Sequence, residues 1–384
     1  MTKDKSLEIS IKKLLIHYQK KEFKIAKDLA NDLTKEFPKN NFSWQVLFLI
    51  FVETGKLNEA YDAISQAVKI DPLDFKAQSN LGSVLFRLGL LDKSISTFKE
   101  VLKLDNNNFN AYINLGVIYQ KKKELKKAEN SYLKAIEINP NSKISYNNLG
   151  NTLKELNRLD EAELNYNRAL KLDSNYDRAR ENLNILFKEK KILKLFSKNK
   201  IEKKNKVKLL KNPFVGTREV EPDLVSTLYK IKSIELKNAE GGPLFGNGST
   251  TNYDLFKNDY KIINILKNDL IKIMKKSVDS DIYINDSFLN ILKKDSGSFP
   301  HTHIVNFDKN NNLINHKYSL VYYVSVGDQK VSKPGIFKIE DPHEEILPKE
   351  GTIIIIPAHR KHSATYNGKI DRLMVGINFY SLNW

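Results

Sequence analysis

The chain has 384 residues, 41% of them hydrophobic, a formal charge of +17 and no cysteine. That length outgrows one small core and predicts two domains, and without thiols any metal must sit on His, Asp or Glu. No apolar run approaches the roughly 20 residues of a membrane span, and the start "MTKDKSLEIS" lacks the apolar core of a signal peptide, so a cytoplasmic protein with no membrane partner is expected.

From the N-terminus, self-comparison finds a period of 34 residues. Leu81, Leu115 and Leu149 keep that step, as do Gly82, Gly116 and Gly150, then Ser94, Ala128 and Ala162, then Phe98, Tyr132 and Tyr166. Trp44, Leu47, Ala60, Pro38 and Pro72 extend the register upstream. The pattern resembles the tetratricopeptide repeat, in which a small residue marks the crossing of two helices and an aromatic fills the gap. The resemblance covers about residues 7–174, with a degenerate first copy, and residues 177–188 read as a capping helix. It implies an all-α solenoid over 1–190 that binds a protein or peptide in its groove. Asn80, Asn114, Asn148 and Asn182 recur at one repeat position, and such a carboxamide ladder can hold a peptide backbone through both donor and acceptor. They are the partner-binding candidates.

Next comes "KEKKILKLFSKNKIEKKNKVKLLK" (188–211), with 11 Lys against 2 Glu. The segment 191–211 reads as a solvated Lys-rich linker. With 55 Lys and only 8 Arg in the chain, and with Phe196 the one aromatic of the segment, so none interleaved for base stacking, nucleic acid is not the expected partner.

Residues 212–384 change character. "NDYKIINILKNDLIKIMKKS" has apolar residues at helical spacing, and "KYSLVYYVSV", "GIFKIED", "GTIIIIP" and "DRLMVGINFYSL" read as strands of β-branched and aromatic residues. Short strands after one supporting helix predict a sandwich or jelly roll. Six of the seven histidines fall in this half. On a strand, His301 and His303 would share a face and could converge on one ion with a distant third ligand, His362. Arg372 shares its strand face with Met374, Gly376 and Asn378, and a buried guanidinium fork calls for an anion.

These segments resemble the 2-oxoglutarate- and iron(II)-dependent oxygenases, built on a double-stranded β-helix, in a branch often fused to tetratricopeptide repeats. The matching stretches are "HTH" (301–303), "SLVYY" (319–323), "PGIF" (334–337), "IPAHRKH" (356–362) and "RLMVGIN" (372–378), spanning roughly residues 240–382. The resemblance implies iron(II) on His301, His303 and His362, and 2-oxoglutarate held by Arg372 and Tyr323, with Asn378 matching the terminal Asn of the family motif. It also implies ascorbate as an accessory reductant and hydroxylation of a protein or peptide brought by the repeats. His303 stands where the family usually has a carboxylate, with Asp341 a candidate replacement acid. Met374 and Gly376 replace two serines, and Leu320 a glycine. These departures favour the alternative, a non-catalytic repeat scaffold with a degenerate oxygenase domain.

Overall fold

The computed structural model describes residues 3–202, 210, 212–236, 244–251 and 253–382. The chain divides into two compact units, Met1–Leu186 and Phe187–Trp384. The first is helical: α1 (Lys3–Gln19), α2 (Phe23–Glu36), α3 (Asn41–Glu53), α4 (Leu57–Ile70), α5 (Phe75–Arg87), α6 (Leu91–Leu104), α7 (Phe109–Lys121), α8 (Leu125–Ile138), α9 (Lys143–Glu155), α10 (Leu159–Leu172), and the first part of α11 (Asp177–Glu202).

Each repeated residue has a structural job. A Cβ on Gly82, Gly116 or Gly150 would meet the ring of Phe98, Tyr132 or Tyr166 at 2.9, 2.5 or 2.6 Å, so glycine lets the paired helices close on the aromatic. The first helix of a pair starts with a side-chain cap from Asn40, Asp74, Asn108 or Ser142, again 34 apart, satisfying amides that the helix leaves unpaired. The turn inside each pair uses a left-handed residue: Lys21, Gly55, Gly89, Lys123 or Asn157. Lys21 falls in the register of the others, so the degenerate first copy keeps the repeat geometry.

The second unit is β-rich. One sheet has the order β1 (Phe214–Thr217), β10 (Thr352–Pro357), β7 (Lys317–Ser325), β12 (Arg372–Ser381), β5 (Ile282–Leu292), β4 (Gly248–Thr250), β2 (Ile234–Glu235). The other runs β3 (Leu244–Phe245), β6 (Ser296–His301), β11 (His362–Tyr366), β8 (Phe337–Ile339), β9 (Glu344–Ile346). Every ladder is antiparallel. One face of the larger sheet packs on α12 (Pro222–Lys230) and α13 (Lys261–Val278), through Leu373, Val375, Ile377 and Phe379 among others. Its opposite face supplies Tyr323, Ile354, Ile356 and Met374 to a second core with Phe337, Ile339 and Tyr366 of the smaller sheet. Burial on both faces explains why "TIIIIP" and β12 read as continuous apolar runs rather than alternating ones.

Two expectations need correction. Residues 191–202 are not linker but the C-terminal part of α11, where Ile192 and Phe196 are buried one turn apart and Phe196 meets the rings of His316 and Tyr380 edge-on. Lys191 and Lys194 lie exposed beside that apolar stripe, which is how a charge-rich sequence still forms a packed helix. Residues 203–209 and 211 of the expected linker lie outside the described residues. In addition, β6 ends at His301, so His303 lies in a coil between β6 and α14 (Asn306–Asn310), and it does not reach His301 through a shared strand face.

Candidate metal centre

His301 and His362 oppose each other in the β6–β11 ladder. His303 comes in from the coil, where its N–H donates to Ala358 O at 2.9 Å. One ring nitrogen from each of the three histidines lies within 4.8 Å of the other two. His303 Nε2 and His362 Nε2 are 3.2 Å apart, close to the roughly 3 Å expected of two nitrogens bound at right angles to one ion. Carbonyl oxygens can only accept, so His301 Nδ1–H donates to Phe299 O (2.8 Å) and His362 Nδ1–H to Arg360 O (3.2 Å). Those bonds leave the Nε2 lone pairs facing inward, the tautomer a metal needs.

Electrostatics favour the same state. Burial, with neighbouring imidazoles, holds the His303 pKa well below the usual value and brings His362 down to about 4; burial also lowers His301. All three rings are therefore neutral at pH 7 and competent to ligate. Among the described residues no carboxylate joins the cluster, and Asp341 is exposed. The candidate ligand set is three neutral imidazoles.

Deeper between the sheets, Arg372 is fully buried. Its Nε donates to Val326 O (3.0 Å), Nη1 to Gly335 O (2.6 Å) and Nη2 to Pro334 O, and its guanidinium lies 5.6 Å from the Tyr323 ring centre and 4.7 Å from that of Tyr366. A Cβ at Gly335, where φ is +78°, would collide with Arg372 Nη1. Three of the five guanidinium N–H bonds are thus used, and among the described residues no carboxylate pairs with this charge. Tyr323 OH is buried and has no hydrogen-bond partner among the described residues, and burial raises its pKa, keeping the phenol a donor. Phe337, in the same inter-sheet core, stacks on His362 at 5.2 Å. The histidines and the arginine share one interior.

Asn378 is not brought to Arg372. It lies six residues further along β12, about 20 Å of extended chain, and donates from Nδ2 to Asp286 Oδ1 at 2.7 Å. Gly376 has a packing reason: a Cβ there would collide with the Phe288 ring, so the family's serine does not fit. Residues not expected from sequence are Gly335, Tyr366 and Phe337 around Arg372 and His362. The glycine in "PGIF" was the available signal for close backbone approach.

In the helical unit, Asn80, Asn114, Asn148 and Asn182 are all half-buried. Asn182 Nδ2 donates to Asn147 Oδ1 (2.9 Å), and Asn147 Nδ2 to Asn148 Oδ1 (3.4 Å). The last two ladder positions are therefore tied together by buried Asn147, which has no counterpart one repeat step away, whereas Asn80 and Asn114 have no such link among the described residues.

Residues 109–142 match a family model described as Tetratricopeptide repeat, residues 131–163 match another of that description, and residues 84–123 match one described as TPR repeat. The chain carries tetratricopeptide repeats, and its N-terminal unit is an all-α solenoid of them. Solved structures similar to part of the chain include MamA, at 25% identity over 41% of this chain and 92% of that one, with a TM-score of 0.40. A MamA fragment from Desulfovibrio magneticus RS-1 gives 15%, 44%, 97% and 0.42. YrrB, described as a TPR protein with an unusual peptide-binding site, gives 16%, 45%, 89% and 0.41. No curated protein matches the chain.

Proposed function

We propose that the C-terminal unit is an iron(II)- and 2-oxoglutarate-dependent oxygenase on a double-stranded β-helix, which hydroxylates a protein or peptide captured by the repeats. The observation that carries this reading is the pairing of a buried, carboxylate-free Arg372 with the orphaned Tyr323 hydroxyl, in the interior that also holds three neutral histidines. An unpaired charge and an unpaired donor in one dry site are costly unless a ligand satisfies them. Imidazole ligates zinc, copper, iron and nickel alike, so Arg372 beside the Tyr323 hydroxyl and the sequence resemblance are what point to iron with a keto acid.

His301, His303 and His362 would hold the metal through ring nitrogens kept neutral by burial. The two remaining N–H bonds of Arg372, with Tyr323 O–H, would hold the far carboxylate of 2-oxoglutarate, and ascorbate would serve as accessory reductant. When bound, the metal and keto acid supply oxygen activation for inserting one oxygen atom into a C–H bond, with release of succinate and CO2. Ile354, Ile356, Met374 and Phe337 wall the space between the sheets and exclude water from it. The solenoid would supply the substrate through its groove, with Asn80 and Asn114 free to meet a peptide backbone.

The test is mass-spectrometric detection of succinate when wild-type protein is given iron(II), ascorbate and 2-oxoglutarate. Succinate above a His362→Ala control supports the enzyme. Its absence supports the second reading, a protein-binding scaffold, which is favoured by the missing acidic ligand and by the three backbone carbonyls already bound to Arg372.

A further inference from the structure

Two of the three histidines are fixed by the sheet, because His301 and His362 face each other across a β ladder. His303 has no ladder partner. Two backbone bonds tie its coil to the larger sheet: His303 N–H to Ala358 O, then Ala358 N–H to Lys317 O, both 2.9 Å. The coil's far end is held by one side chain. Asp308 Oδ2 accepts from Val305 N–H (2.8 Å) and from Lys317 Nζ (2.8 Å), while its Oδ1 accepts from Tyr380 O–H (2.5 Å). Asp308 and Lys317 are both buried, and the ammonium lies over the Tyr380 ring at 5.4 Å. Lys317 thus receives the His303 coil at both points, through its own carbonyl by way of Ala358 and through its ammonium by way of Asp308.

We propose that the buried Asp308–Lys317–Tyr380 cluster is the positioning device that brings His303 into the metal set; this rests on the metal-centre reading given above. A buried ion pair is a poor source of stability, and apolar residues of similar volume often replace one without loss. What the pair offers instead is a unique geometry, since each charge can be satisfied in one arrangement of the coil only. A sheet ladder does that work for His301 and His362. Outside the ladder a charged clamp takes its place.

Cobalt(II) is the probe, because its visible absorption reports ligand number independently of turnover. The full chain is compared as wild type, as Asp308→Asn/Lys317→Met, which removes both charges while keeping volume, as His303→Ala, and as the combination of all three. We expect the double variant to fold with unchanged hydrogen exchange in β7 and β12. Its cobalt affinity should fall about 10- to 100-fold, the usual cost of losing the groups that orient a ligand. Its spectrum should shift to that of His303→Ala, and the double change should cost nothing further in the His303→Ala background. Wild-type affinity and spectrum in the double variant would overturn the proposal, as would an equal loss in the His303→Ala background, which would mark a general structural effect. If the double variant does not fold, Tyr380→Phe removes one bond to Asp308 alone; it must shift the cobalt spectrum in the same direction, and an unchanged spectrum overturns the proposal. Failure of wild type to bind cobalt at all would instead defeat the metal-centre reading.

Discussion

The two units solve the same problem of specifying a structure in opposite ways. In the solenoid every role is filled several times at a fixed step: four side-chain caps, five left-handed turn residues, three glycine–aromatic contacts. In the β-rich unit each role is filled once, by one Arg372, one Gly335 and one Asp308. Repetition spreads stability over nearest-neighbour terms, so a lesion in the solenoid stays local. A lesion between the sheets has no substitute. Variants should therefore differ in size between the units, and hydrogen exchange with peptide-level readout measures each separately.

The largest effect is expected at Gly335→Ala. The left-handed backbone and the collision with Arg372 Nη1 together should destabilise the C-terminal unit by about 3 kcal/mol or more, with no change in the helices. Gly116→Ala, pressed against the Tyr132 ring, should cost about 2 kcal/mol in the solenoid alone. Equal effects, or effects crossing between units, would break the contrast.

Next comes pH. The three histidines have native pKa values below those of the unfolded chain, so unfolding takes up protons and the metal-free β-rich unit loses stability as pH falls from about 6.5 toward 4. His362 alone, shifted to about 4, corresponds to roughly 3 kcal/mol across that window. Asp286, whose pKa burial raises, works in the opposite direction at the lower end and trims the loss. Urea midpoints of the metal-free protein at pH 7 and pH 5 check this, and His362→Ala should flatten the difference.

Smaller effects belong to the solenoid. Asp74 caps α5 through Lys76 and Ala77 N–H and also accepts from Gln45 of the preceding pair; Asp74→Ala should cost about 1 kcal/mol. Lys21→Gly should stabilise by about 0.5 kcal/mol, the relief of a left-handed non-glycine residue less the added freedom of the unfolded chain. A destabilised Lys21→Gly would show that the first pair does not share the repeat geometry.

The same contrast governs what the sequence disclosed. The 34-residue step was legible because the packing of one pair is repeated in the next, and the caps at 40, 74, 108 and 142 keep that same step. The strands "GTIIIIP" and "DRLMVGINFYSL" were legible as apolar runs; His301, His303 and His362 lie together, but His303 arrives from a coil and not from the shared strand face that the spacing predicts. What stayed hidden depends on tertiary context. No local pattern reveals that His303 leaves the strand, that Asp308 and Lys317 pair across nine residues in the interior, or that Asn378 meets Asp286 rather than the arginine. The helix through 191–202 was obscured by lysines whose charge outweighed two apolar residues one turn apart.

In the proposed oxygenase, Tyr323 and Arg372 together hold the far carboxylate of 2-oxoglutarate. Tyr323→Phe is the sharpest test, because the hydroxyl it removes has no partner among the described residues. Anaerobic calorimetric titration of 2-oxoglutarate into iron(II)-loaded protein should show binding to wild type and about tenfold weaker binding to Tyr323→Phe, the loss of one charge-assisted bond. The variant's own stability should be equal or higher. No binding to iron-loaded wild type, or equal binding by the variant, would overturn the oxygenase reading and leave the repeat scaffold in its place.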